Sequence, residues 1–104
     1  MKPLTNEHPN LVGLAYHVCV MGPEFLTMDP FEPGRLHADS LRNSHSEPEM
    51  IEFVQELRTT LQNRAINFEA HPLVESYPEM KNDHFYQAIA LYINYFEGEF
   101  DFLT

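Results

Sequence analysis

The apolar positions of this chain fall into five groups, and only one of them has an unambiguous period. From Ser46 onward, Met50, Phe53, Val54, Leu57 and Leu61 recur at helical spacing. Ser46-Glu47-Pro48-Glu49 ahead of them is a capping box, a hydroxyl three residues before a Glu with Pro in the first turn. This predicts a helix over about 47–63. A second helix is expected over about 84–97, with Asn82 or Asp83 as its cap and Gly98 as its stop. Phe85, Ile89, Tyr92, Ile93 and Phe96 share one side of it, and Tyr86, Ala88, Leu91 and Tyr95 widen the arc past half the circumference. Such a helix is either central to the fold or covered by another chain.

The other groups are less decisive. In Leu11–Met21, residues Val12, Leu14, Tyr16, Val18 and Val20 alternate within a run that is apolar almost throughout. That pattern suits a strand buried on both faces. A helix beginning at Asn10 fits the same content, with Gly13 and three valines against it. A short strand is expected over 65–70, where Ile66 and Phe68 alternate with Asn67 and Glu69. Residues 71–81, with Pro72 and Pro78, read as loop. The tail alternates Phe96, Gly98, Phe100 and Phe102 with Glu97, Glu99 and Asp101, the period of a strand with an acidic face. Residues 1–10 read as an N-terminal arm, and 22–45 as a long Pro-rich connection with one or two helical turns near Leu36–Arg42. The expected architecture is a small single α+β domain spanning 1–104, and its alternative is mostly α-helical.

Charge changes this picture. The 104 residues hold 16 Asp plus Glu against 6 Lys plus Arg, a net charge of −10. Residues 1–46 contribute −2 and residues 47–104 contribute −8. A domain of this sign repels phosphate and anionic membranes, so neither nucleic acid nor a membrane is an expected partner. Its natural complement is a basic protein. The acids are also patterned. Glu49, Glu52 and Glu56 fall within about 60° of one another on the face of the first helix opposite its apolar stripe. Glu97, Glu99 and Asp101 would stand about 6.5–7 Å apart on a strand, and no Lys or Arg follows Lys81.

Residues that could carry other chemistry give weaker patterns. Cys19 alone cannot form an internal disulfide. On a strand, His17 and Cys19 would share a face, and a zinc site would need two more ligands from His8, His37, His45, His71 or His84. No CxxC, HExxH or HxxxH spacing supports this, and neither a metal nor a cofactor is expected. His37 with Asp39, or Glu69 with His71, could form acid–base pairs, as chance would allow with so many acids. Ser40 and Ser44 lack nucleophile-elbow glycines, and no phosphate-cradling glycine motif is present. The apolar run 11–21 is too short to span a bilayer and follows no basic start, which makes a cytoplasmic setting the expectation.

The residues therefore point to a non-enzymatic acidic protein that inhibits a basic partner, such as a nuclease-type toxin or a nucleic-acid-binding protein, by occluding its positive cleft. Glu49, Glu52, Glu56, Glu97, Glu99 and Asp101 would pair with the partner's cations, and Tyr86 and Tyr95, at the edges of the aromatic arc, would anchor the contact. Tyr92, nearer the middle of that arc, is expected in the core. The first alternative is a homo-oligomeric adaptor, a homodimer in its simplest form, built on helix 84–97. A small His/Cys metal protein or enzyme is the third.

Overall fold

The computed structural model describes residues 1–29 and 31–103. They form β1 (Lys2–Pro3), α1 (Pro9–Met21), a 3-10 turn (Pro23–Thr27), α2 (Glu32–Ser44), α3 (Glu47–Asn63), β2 (Ile66–Asn67), a second 3-10 turn (Phe68–Ala70), α4 (Pro72–Glu75), α5 (Asn82–Glu99) and a closing 3-10 turn (Asp101–Leu103). The chain is predominantly helical, as in the mostly α-helical alternative. Its sheet is reduced to two residues from each strand, paired in parallel with Lys2 opposite Ile66 and Pro3 opposite Asn67.

The α3 expectation is met at the level of atoms. Ser46 Oγ accepts from the Glu49 N–H at 3.4 Å, and the Ser46 N–H donates to Glu49 Oε1 at 3.0 Å. Met50, Phe53, Val54, Leu57 and Thr60 are the buried residues of this helix. Arg64 ends it in the left-handed region at φ 48°.

Residues 11–21 are helical, which corrects the preferred strand reading. The buried set is Leu11, Leu14, Ala15, Val18 and Cys19, spaced i, i+3, i+4, i+7 and i+8. Tyr16 and Val20, which share the apparent strand face with Val18, are exposed. A strand buried on both faces needs neighbours to satisfy its backbone. The helix satisfies its own, between Pro9 in its first turn and Gly22 just beyond its end.

The Pro-rich connection 22–45 is largely α2. Pro33 sits in the first turn of this helix, where its missing N–H is no loss. Gly34 is buried against Phe31 and Tyr95, where a Cβ would lie 2.6 Å from a Phe31 ring carbon and 2.9 Å from Tyr95 Cγ. Arg35 bonds Glu32 and Asp39, and Arg42 bonds Asp39, so i,i+3 and i,i+4 pairs lace the outer face.

The helix α5 continues through Gly98, which has open space around it and needs no left-handed turn. It starts at Asn82, with Lys81 rather than Asn82 or Asp83 in the cap position and the Lys81 N–H donating to His84 Nδ1 at 3.0 Å. The tail is therefore helix followed by a 3-10 turn, not a strand, and Phe100 and Leu103 fold back into the core. Likewise 65–70 is a two-residue strand that passes into a 3-10 turn. The N-terminal arm is held down by the Lys2 N–H on the Ala65 carbonyl (2.8 Å), by the Leu4 N–H on the Asn67 carbonyl (3.1 Å), and by burial of Leu4.

Helix α5 is the centre of the fold. It packs against α2 and α3, and buries Phe85, Tyr86, Ala88, Ile89, Tyr92 and Phe96. Its wide aromatic arc therefore has an internal explanation, and Tyr92 is core as expected. Phe85 stacks on Phe68 at 4.9 Å between centroids, and Phe96 meets Phe53 edge-on at 6.3 Å.

Candidate functional site

The acidic residues divide into two sets that occupy different places. At 100° per residue, Arg58 lies about 120° around α3 from Glu52 and about 160° from Glu56. Arg58 faces the C-terminus, where its Nη2 donates to Glu97 Oε1 and to the Leu103 carbonyl, each at 3.1 Å. Arg42 of α2 pairs with Glu99 and also stacks over the Phe100 ring at 4.9 Å. Asp101 is exposed on the closing 3-10 turn. Glu97 and Glu99 are thus neutralised by arginines from earlier in the chain, and they tie the tail to α3 and α2. Both side chains remain more than a third exposed, so a partner would meet them already paired with arginine.

The α3 set is different. Glu49 is engaged in the capping box, where the Ser46 N–H and then its hydroxyl hold the carboxyl below the usual carboxylate range. Glu52 is exposed. Glu56 is half-buried, so the stripe runs along one flank of the helix rather than opposite the core. Its Oε2 lies 3.8 Å from His8 Nδ1, which is too far for a hydrogen bond. Its Oε1 is shut off from water with no hydrogen-bond partner. Among the described residues, no Lys or Arg forms an ion pair with Glu49, Glu52 or Glu56.

Of the two tyrosines expected at an edge, Tyr86 is only 2% exposed. Its hydroxyl donates to the Ile66 carbonyl at 2.6 Å and accepts from the Ile66 N–H at 3.1 Å, while Arg64 covers its ring at 5.1 Å. It braces β2 and is not available as an anchor. Tyr95 is half-buried beside Phe31.

The remaining candidates have other duties. In a helix His17 and Cys19 point about 160° apart. The Cys19 thiol is buried and pushed up to about 11, by burial and then by the charge of Glu79, which leaves it a poor nucleophile. Among the described residues no group of three or more His, Cys, Asp or Glu converges as a metal site would require. Asp39 is held by Arg35 and Arg42, and Glu69 accepts from the Asn82 N–H. His71 Nδ1 accepts from the Leu73 N–H and so caps α4, while its Nε2–H donates to Asn6 Oδ1. The Ser44 hydroxyl donates to the Ser40 carbonyl.

Two features escaped the pattern reading. One is a cavity of about 320 Å³ beside Glu56, lined by His8, Leu11, Thr59, Asn63 and Ile66 among others. The other is the half-buried pair His17 and His37 against the buried Tyr92, in which His17 Nε2, His37 Nδ1 and the Tyr92 hydroxyl are enclosed without hydrogen-bond partners. Both join residues from distant parts of the chain, so no local spacing announced them. No helix among the described residues is long and apolar enough to cross a membrane. Set against known proteins, the chain matches no family model, no curated protein and no solved structure.

Proposed function

We propose that this is a non-enzymatic binding protein that neutralises a basic protein partner, laying the acidic flank of α3 across a positive cleft as an antidote to a nuclease-type toxin or a mimic of nucleic acid would. The observation that supports this reading is the state of Glu52 and Glu56. They stand one turn apart, a repulsive arrangement worth a few tenths of a kcal/mol, while Arg35, Arg42 and Arg58 are all committed to other carboxylates. A Lys or Arg from a partner relieves that repulsion, and the field of the whole chain favours its approach. The contact set is smaller than the sequence suggested. It centres on Glu49, Glu52 and Glu56, with Ile51 exposed beside them.

An octalysine peptide titrated into isotope-labelled protein tests this. Amide shift changes should centre on Glu49–Glu56, fade in 0.5 M salt (about a 4 Å Debye length), and be lost when Glu52 and Glu56 are both changed to Lys. Changes spread evenly over Glu24, Glu75 and Glu79 would instead mean unspecific attraction and sink the proposal.

A further inference from the structure

We propose that the cavity between the start of α1, the second half of α3 and residues 65–66 binds a small aliphatic ammonium ion, with Glu56 as its counter-charge. The cavity's size, about 320 Å³, is at the small end for ligand sites, which fits a short chain rather than a drug-sized ring system. Leu11 and Ile66 are among its apolar lining residues, and Thr59, Gln55 and Asn63 among its polar ones. The decisive group is the Glu56 carboxylate. Its Oε2 is beyond hydrogen-bond reach of the His8 ring at 3.8 Å, in a side chain that stays 30% exposed. This is the oxygen left for an incoming donor, while Oε1 is enclosed beside it without a partner. Buried carboxylate oxygens are ordinarily hydrogen-bonded. Among the described residues no Lys or Arg lines the cavity, and the one arginine of α3 is turned to the opposite flank to serve Glu97.

The donor that fits is thus an N–H cation brought from outside, carried on enough hydrocarbon to cover Leu11 and Ile66. An anion is repelled by Glu56 and by a net charge of −10. A neutral alcohol can fill the space but leaves the charge unmatched. A quaternary ammonium carries the charge without an N–H to donate. Free aliphatic amines and the lysine side chain share the required chemistry, and a space of about 320 Å³ matches the free amine, which brings no backbone with it. This inference goes beyond the docking reading and stands without it, since the cavity can take its ligand whether or not α3 meets a protein.

The test is an NMR titration of labelled protein with 1,5-diaminopentane, 1-butanol, butyrate, butyltrimethylammonium and a blocked Gly-Lys-Gly peptide. The diamine should shift the amides of Leu11, Thr59, Thr60 and Ile66, with butanol, butyrate and the quaternary ion weaker. Glu56→Gln keeps the side chain's shape and should lower diamine affinity about tenfold or more. Equal response to butanol, unchanged affinity in E56Q, or no response up to roughly 10 mM diamine would overturn the proposal. Tighter binding of the lysyl peptide than of the diamine would also overturn the free-amine assignment and return the cavity to the protein-docking face.

Discussion

The imidazole of His37 stands edge-on to the ring of Tyr92, with 5.2 Å between centroids, and neither His37 Nδ1 nor the Tyr92 hydroxyl has a hydrogen-bond partner. Phe53 and Phe96 close the cage edge-on at 5.6 and 5.9 Å, and His17 lies 5.7 Å away. Burial first, then the neighbouring His17 and His45, push His37 down to about 4, and burial lowers His17 as well. Burial in the same cage raises the Tyr92 hydroxyl.

Acid sensitivity follows from this cage. The unfolded chain protonates His37 near 6.5, whereas the folded chain does so only near 4. Between those values the unfolded state binds more protons, so stability is full above about pH 6.5 and falls as pH drops toward 4. The full change is on the order of 3 kcal/mol for His37, and His17 acts in the same direction. Urea unfolding at pH 7.5 and 4.5 measures it. Lower net charge in acid works the other way by relieving repulsion among carboxylates, so the comparison needs His37→Phe, which fits an aromatic cage and should flatten the pH slope. A variant with the slope of the native chain would place the acid sensitivity elsewhere.

The Tyr86 hydroxyl carries two backbone bonds, one to each polar group of Ile66. Tyr86→Phe leaves both without that partner, in a half-buried strand, and should cost about 1–3 kcal/mol, toward the lower end if water reaches Ile66. Because β2 supports β1, amide exchange at Lys2 and Leu4 should quicken along with that at Ile66. A stability loss with no change in exchange at Lys2 would separate the tyrosine from the N-terminal arm.

What could be read from the sequence was what is local. The Ser46–Glu49 box and the spacing from Met50 to Leu57 fix α3 from residues within a turn or two of each other. In 11–21 the apolar run is too continuous to carry a period, and the helix emerges only because Tyr16 and Val20 turn outward in the fold. Pro33-Gly34 reads as a turn, yet Pro33 belongs to a helix's first turn and Gly34 answers to Phe31 and Tyr95. A helical signal was present in the alternating charges Glu32, Arg35, Asp39 and Arg42, which pair only on a helix. The counter-ions of Glu99 and Glu97 lie 57 and 39 residues earlier, so the acidic tail looked uncompensated in sequence alone. The Glu56 cavity likewise joins α1, α3 and β2, which no one stretch encodes.

Two glycines of similar appearance should respond oppositely to alanine. At Gly98 a Cβ meets nothing within 4 Å, and the residue is inside α5. Gly98→Ala should stabilise by about 0.5–1 kcal/mol through helix propensity and a less flexible unfolded chain. At Gly34 the same methyl would press on the Phe31 and Tyr95 rings, at a cost of about 1–3 kcal/mol from overpacking. Thermal melts of the two variants should move in opposite directions, and a rise for both would mean that Phe31 and Tyr95 yield easily.

The Arg58 contacts separate charge pairing from tail anchoring. Arg58 and Glu97 side chains are 37% and 38% exposed, so their ion pair by itself is worth less than about 1 kcal/mol. The bond from the same guanidinium to the Leu103 carbonyl does something else, because it holds the turn that seats Phe100 and Leu103. Glu97→Gln, which removes the charge and leaves that carbonyl bond, should cost less than about 0.5 kcal/mol and weaken in its effect with salt. Arg58→Met removes both contacts, and should cost about 1 kcal/mol or more in a way that salt does not erase. It should also open residues 101–103 to carboxypeptidase. If the two variants instead lose the same stability, and salt removes both losses alike, the pair acts through charge alone and the carbonyl bond does not hold the C-terminus.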